Sequence, residues 1–240
     1  MAVDSQAPRA NALKTVLDTM IAPKEAFESI RIVPTWGWAL AIAIVLSAIG
    51  SYLTVPAFQH ALAASWSDTV AKNPQLAQLT PQEQHARMEI GQKFIGFTWV
   101  FSIFAVPIFV LIDAVVMLIF DKLGKGEGTF VQYFAAASNI AVPASLGPVT
   151  LAIVALIRGA DSFTSVQSVQ NALPTLALFA QGASPKVVAF LSVFTPFSLW
   201  ATGLVIAAVS IIGRTPKLQA WLAGAILIIV PALLATLGAQ

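Results

Sequence analysis

The chain has 240 residues, 58% of them hydrophobic and 10% charged, with a mean hydropathy of +0.82. A soluble domain this apolar could not keep its surface wet, so the composition points to a membrane. A net charge of +2 without a basic cluster excludes a nucleic-acid partner, and the lack of cysteine excludes disulfides, thiolate catalysis and cysteine metal sites.

Residues 1–12 are polar and expected to be disordered. They lack the apolar stretch of a signal peptide, so this end is expected to be retained. Residues 13–32 alternate apolar and charged positions at helical spacing. Leu13, Val16, Leu17, Met20 and Ile21 form one stripe, and Pro23 starts a second turn with Phe27 and Ile30 apolar. The segment is too charged to span. It reads either as an amphipathic helix on the cytoplasmic face, with Lys14, Lys24 and Arg31 near lipid headgroups, or as a helix packed on the protein's own loops. This divides the chain into a cytoplasmic segment, 1–33, and a membrane domain, 34–240.

A spanning helix needs about 20 apolar residues. Five stretches qualify: Thr35–Val55, flanked by Trp36 and Trp38, then about Phe94–Phe120, Phe130–Ile157, Val187–Ile212 and Leu218–Leu237. The expected fold is therefore all-α with five transmembrane helices. With the N-terminus inside, the cytoplasmic segments hold Arg9, Lys14, Lys24, Arg31, Lys122, Lys125, Arg214 and Lys217, against Lys72, Arg87, Lys93, Arg158 and Lys186 outside. This excess of cations inside predicts N-in and C-out.

The loops carry local signals. Thr80-Pro81-Gln82-Glu83 is a capping-box pattern, and the helix it opens is expected to run through Arg87 and Lys93 into the second span. Pro56–Lys72 reads as a continuation of the first span after a proline kink. Leu173–Ala180 is too short to span and fits a re-entrant or interfacial helix.

The centre of the pattern is a hydrophobic hairpin. Val100–Phe120 runs one way, the charged turn Asp121–Gly128 reverses the chain, and Phe130–Ile157 runs back. Asp113 lies inside the first arm, and an ionisable group in a span is a functional candidate. It stands about 12 Å from the turn, and Asn139 in the second arm about 13 Å from it, so the two match in depth. Either Asp113 bonds Asn139 or Ser138 and glues the hairpin, or it is a proton or cation site. Pro143 and Pro148 kink the second arm or unwind it to free carbonyls. Asp113, Ser138, Asn139 and Pro143 thus make up a candidate intramembrane polar site. Ala135, Ala136, Ala137, Ser138, Ala141 and Ala144 allow close helix packing.

Other motifs lead away from catalysis. Gly124-Lys-Gly-Glu-Gly128 lacks the phosphate-loop pattern and reads as a flexible tight turn. His60 and His85 have no metal-ligand spacing. No nucleophile–base constellation is present, and Asp113 has no second acid at membrane depth to make an aspartyl protease. No enzyme, metal or cofactor is expected.

Three blocks carry a resemblance to a known family. They are Ile21-Ala-Pro-Lys-Glu-Ala-Phe-Glu-Ser-Ile30, then Gly128-Thr-Phe-Val-Gln-Tyr-Phe-Ala-Ala-Ala-Ser-Asn-Ile-Ala-Val-Pro143, then Phe197-Ser-Leu-Trp-Ala-Thr-Gly-Leu204 through Arg214 to Lys217-Leu-Gln-Ala220. Together with their order they resemble the Yip1-domain membrane proteins, of the bacterial kind. Eukaryotic relatives are five-span proteins of the early secretory pathway that associate with Rab-type GTPases and with each other. This chain lacks an Asp-Leu-Tyr-Gly-Pro motif, and Ser138-Asn139 stands where a Gly-Tyr pair is expected. The resemblance implies a non-enzymatic membrane organiser or adaptor in the bacterial inner membrane. Its partners would be the lipid bilayer, other membrane proteins or further copies of itself. The alternative is a small transporter or channel using Asp113 and a proline-broken third helix.

Overall fold

The computed structural model describes residues 11–180 and 182–238, and every regular element among them is helical. In chain order they are α1 (Ala12–Ile21), α2 (Pro23–Ile32), α3 (Gly37–Ala64), α4 (Trp66–Lys72), α5 (Pro74–Ala77), α6 (Pro81–Gly96), α7 (Thr98–Leu123), α8 (Phe130–Arg158), α9 (Val166–Gln170), α10 (Pro185–Ser192), α11 (Pro196–Ile212) and α12 (Lys217–Ala235). Residues 1–10 of the polar start lie outside the described residues. Asn11 and Ala12 are ordered, with the Asn11 side chain capping α1 by accepting from the Lys14 N–H.

Four helical stretches are long and apolar enough to cross a membrane: Gly37–Ala64, Thr98–Leu123, Phe130–Arg158 and Lys217–Gly238. The bent pair α10 and α11, at 56° to each other, makes up to a fifth. The all-α, polytopic expectation holds. The fourth expected stretch is broken into two helices, where the sequence pattern reads as one run. Pro196 at the start of α11 has no N–H to continue α10, and it disfavours helical backbone at Thr195.

Other boundaries follow from local chemistry. The capping box forms as expected: the Glu83 carboxylate accepts from the Thr80 N–H at 2.8 Å, and the Glu83 N–H donates to the Thr80 hydroxyl at 3.4 Å. Its helix does not run into the second span, because Phe97 (φ −100°, ψ 0°) leaves the helical region and separates α6 from α7. The first span does continue past Pro56, to Ala64. Leu173–Ala180 forms only a 3-10 turn at Leu176–Phe179, whose Leu176 N–H donates to the Phe194 carbonyl. The helix α8 is continuous through Pro143 and Pro148.

The chain divides into two compact units. The first, described from Asn11 on, takes in the chain to Ala43 with Pro107–Ala144 and Ser198–Val230. Its core holds Phe27 and Ile30 of α2, Val110, Ala114 and Met117 of α7, Tyr133 and Ala135–Ala137 of α8, and Val209 and Ile212 of α11. The alanine run of α8 is buried, as its small residues predict. Arg31 and Thr35 supply carbonyls that accept from the Gln132 and Asn139 amides, so the chain leaving α2 is tied to α8.

The second unit takes in Ile44–Val106, Ser145–Phe197 and the chain from Pro231 on. Here α3 and α8 meet so closely that a Cβ on Gly50 would stand 2.7 Å from the Pro148 backbone. Ala57, Ala61, Ala155, Phe163 and Val169 form its apolar cluster. Arg158 stacks its guanidinium 4.7 Å above the Phe163 ring. His60 meets the Phe163 carbonyl at 3.2 Å and the Asp161 carboxylate at 3.5 Å.

Candidate functional site

The charged turn after α7 is held by a specific helix ending. The Gly126 N–H donates to the Asp121 carbonyl and the Lys125 N–H to the Lys122 carbonyl, the double bond of a Schellman motif. Lys125 occupies its left-handed position at φ +58°, where glycine is usual. Lys122 folds back over the turn and donates to the carbonyls of Gly126 at 3.0 Å and Gly128 at 2.7 Å. The sequence reads this segment as flexible; its backbone polar groups are bound instead.

A second turn, between α11 and α12, closes on the first. Arg214 also has left-handed backbone, at φ +53°. The Glu127 N–H donates to the Gly213 carbonyl at 2.9 Å, and Arg214 and Glu127 pair at 3.5 Å across the two turns. Between them lies Asp121, fully buried. One of its oxygens, Oδ1, accepts a short hydrogen bond from the Thr215 hydroxyl. The other, Oδ2, lies 3.2 Å from Lys122 Nζ. The Tyr133 hydroxyl converges on the same point: a Cβ on Gly213 would meet Tyr133 Oη and Thr215 Oγ1 at 2.5 Å, and would collide with Asp121 Oδ1. Gly126 borders the same carboxylate from the first turn, so a side chain is excluded from both sides.

The candidate intramembrane site has a different geometry. Asp113 is half-buried and makes no hydrogen bond or ion pair with the described residues. Asn139 is buried, and its amide donates to the Thr35 carbonyl and to the Ala135 carbonyl, both at 2.8 Å. Ser138 donates to the Phe134 carbonyl within its own helix. Pro143 is buried in the continuous α8. Ser138, Asn139 and Pro143 therefore share the middle of one helix, and the structure does not join Asp113 to Asn139 or Ser138.

Sequence reasoning missed Asp121, which it assigned to the solvated turn. Two signals were present. An acid in the last turn of a helix stands against the helix dipole, so it needs a partner from elsewhere. Glycine is also dense on the first turn, at Gly124, Gly126 and Gly128, and opens the second at Gly213. The partner, Thr215, is 94 positions away, beyond the reach of any local pattern. Among the described residues, no group of three or more His, Cys, Asp or Glu side chains gathers to hold a metal.

Several apolar helices able to cross a bilayer define a polytopic α-helical membrane protein. The profile of the Yip1 domain matches residues 17–239, nearly the whole chain, and the protein belongs to that family. The match includes α2 and the second half of α1 along with the spans. No curated protein and no solved structure matches the chain.

Proposed function

We propose that this chain is a non-enzymatic membrane organiser or adaptor, docking partner membrane proteins or lipids. It would sit in the inner membrane of a bacterium with its N-terminus inside and C-terminus outside. The observation that carries this reading is the locked pair of turns. Two connections that would otherwise be loose loops are fixed to each other through Asp121, Thr215 and the Glu127–Gly213 bond. The result presents Lys125, Glu127, Arg214 and Lys217 as an exposed charged surface. A surface held in one conformation docks a partner without first losing conformational freedom.

The test is purification of the full-length chain from its own membranes. A partner retained at fixed stoichiometry, lost with Lys125→Glu and Arg214→Glu and kept with Asp113→Asn, supports docking at the turns. A chain that retains no partner, or one indifferent to both charge reversals, sinks it.

Asp113 favours a second reading, a small transporter or channel. A carboxylate inside a span with no partner among the described residues suits a proton or cation. Ion flux through reconstituted vesicles that disappears in Asp113→Asn would carry that reading.

A further inference from the structure

Helix α1 is oriented the wrong way round for a protein in water. The residues it turns inward are Thr15, Val16 and Thr19. Thr19 is 0% exposed, whereas Leu17 is 60% and Ile21 81% exposed. At 3.6 residues per turn, Leu13, Leu17 and Ile21 lie on one stripe, and Thr15 and Thr19 stand about half a turn away. Burying the threonines leaves no donor unmet, because Thr19 donates to the Thr15 carbonyl at 2.8 Å and Thr15 to the Asn11 carbonyl at 3.3 Å. The next helix has the ordinary arrangement: α2 buries Ala26, Phe27 and Ile30 and leaves Lys24, Glu25 and Glu28 outside. Only in an apolar medium is the stripe of α1 on its favourable side.

We propose that α1 lies in the plane of the membrane, with Leu13, Leu17 and Ile21 sunk into the boundary between headgroups and acyl chains. The occupant of the stripe is lipid rather than protein, for two reasons. Apolar exposure continues along the chain through Ile32, Trp36 and Trp38 into α3, which spans. Tryptophans beside a span mark the interface. The connection is also short: α2 fills most of the chain between α1 and α3, and ten helical residues reach about 15 Å. The wet edge of the helix is the Lys14–Asp18 pair, next to the stripe, with Lys14 exposed at headgroup level. This placement concerns lipid contact alone and stands or falls separately from docking at the turns.

The chain has no cysteine, so single cysteines can be introduced into the full-length protein without background. Leu17→Cys, Ile21→Cys and Lys14→Cys, each carrying a nitroxide, would be reconstituted into phosphatidylcholine–phosphatidylglycerol vesicles. Collision with oxygen, which partitions into lipid, is compared with collision with a water-soluble nickel chelate. Labels at Leu17 and Ile21 are expected to favour oxygen, and the label at Lys14 to favour nickel. A Leu17 or Ile21 label as open to nickel as that at Lys14 overturns the proposal. So does a label shielded from both reagents, because protein then covers the stripe.

Discussion

Asp113 and Asp121 stand on the same helix, eight positions apart, and the structure treats them in opposite ways. Asp121 is fully buried and surrounded by Thr215, Lys122, Tyr133 and two glycines. Asp113 is half-buried, deeper along the apolar run, and has no such neighbours among the described residues. Burying a carboxylate is expensive unless hydrogen bonds and an opposite charge replace water. Asp121 has both, so its burial holds two distant turns in register. Asp113 has neither among the described residues. The position of an acid in a hydrophobic run thus says less about its role than the groups the fold brings to it.

The largest expected effect is at Asp121. Replacing it with alanine leaves the buried Thr215 hydroxyl without its acceptor, which costs about 1–3 kcal/mol, and empties the space its carboxylate fills, which adds to that loss. The expected outcome for Asp121→Ala is a sharp fall in the thermal unfolding midpoint of the purified chain, with faster amide exchange in both turns. Exchange that quickens in residues 121–128 alone would mean that Asp121 does not hold the second turn.

Gly213→Ala comes next. Its new methyl collides with the same carboxylate, and overpacking of this kind costs about 1–3 kcal/mol. The two substitutions share one site, so the double variant is expected to lose less than the sum of the singles, by about 0.5–3 kcal/mol. Simple additivity in that cycle would place the cost of Gly213→Ala elsewhere.

What was legible in the sequence follows from the range of each interaction. Apolar runs of spanning length are local, so the places of the four long apolar helices were readable, as was the capping box at Thr80. The break at Phe97 was not, because nothing in its residue type forbids helix. Pro196 did carry the break between α10 and α11, but the hydropathy of the flanking residues masked it. The turn cluster was invisible for another reason: Asp121 and Thr215 are assembled by the pairing of two separate hairpins. The stripe of α1 was visible, but its orientation was not, since a helical period fixes which residues share a face and leaves open which face is covered.

Glu83 sharpens the comparison with a third carboxylate, one that has partners and no burial. The Thr80 N–H, and after it the Thr80 hydroxyl, hold its carboxyl below the ordinary value of 4.5. A group more acidic in the folded chain than in the unfolded one stabilises fully above the unfolded pKa, and that contribution is lost as pH falls through the folded value. The start of α6 is therefore expected to loosen as pH falls below the ordinary value of 4.5, read as faster proton-corrected amide exchange at residues 81–84. Glu83→Gln should remove this pH dependence. The effect is small and confined to one helix end, because water solvates the carboxylate as soon as the cap opens. A loosening that persists in Glu83→Gln would assign it to another group.

The smallest expected effect on stability belongs to Asp113→Asn. With no partner to lose among the described residues, the change should leave the stability of the purified protein within about 0.5 kcal/mol of the parent. A loss as large as that of Asp121→Ala would erase the contrast between the two acids and place a strong partner for Asp113 inside the fold. The informative comparison is between the purified chain and the native membrane. Stability that is unchanged in detergent but falls in the membrane-embedded state would mean that Asp113 bonds to a group supplied by another molecule. Asparagine keeps the shape and removes the charge, so retention of that contact in Asp113→Asn would identify it as a hydrogen bond, and its loss as an ionic one.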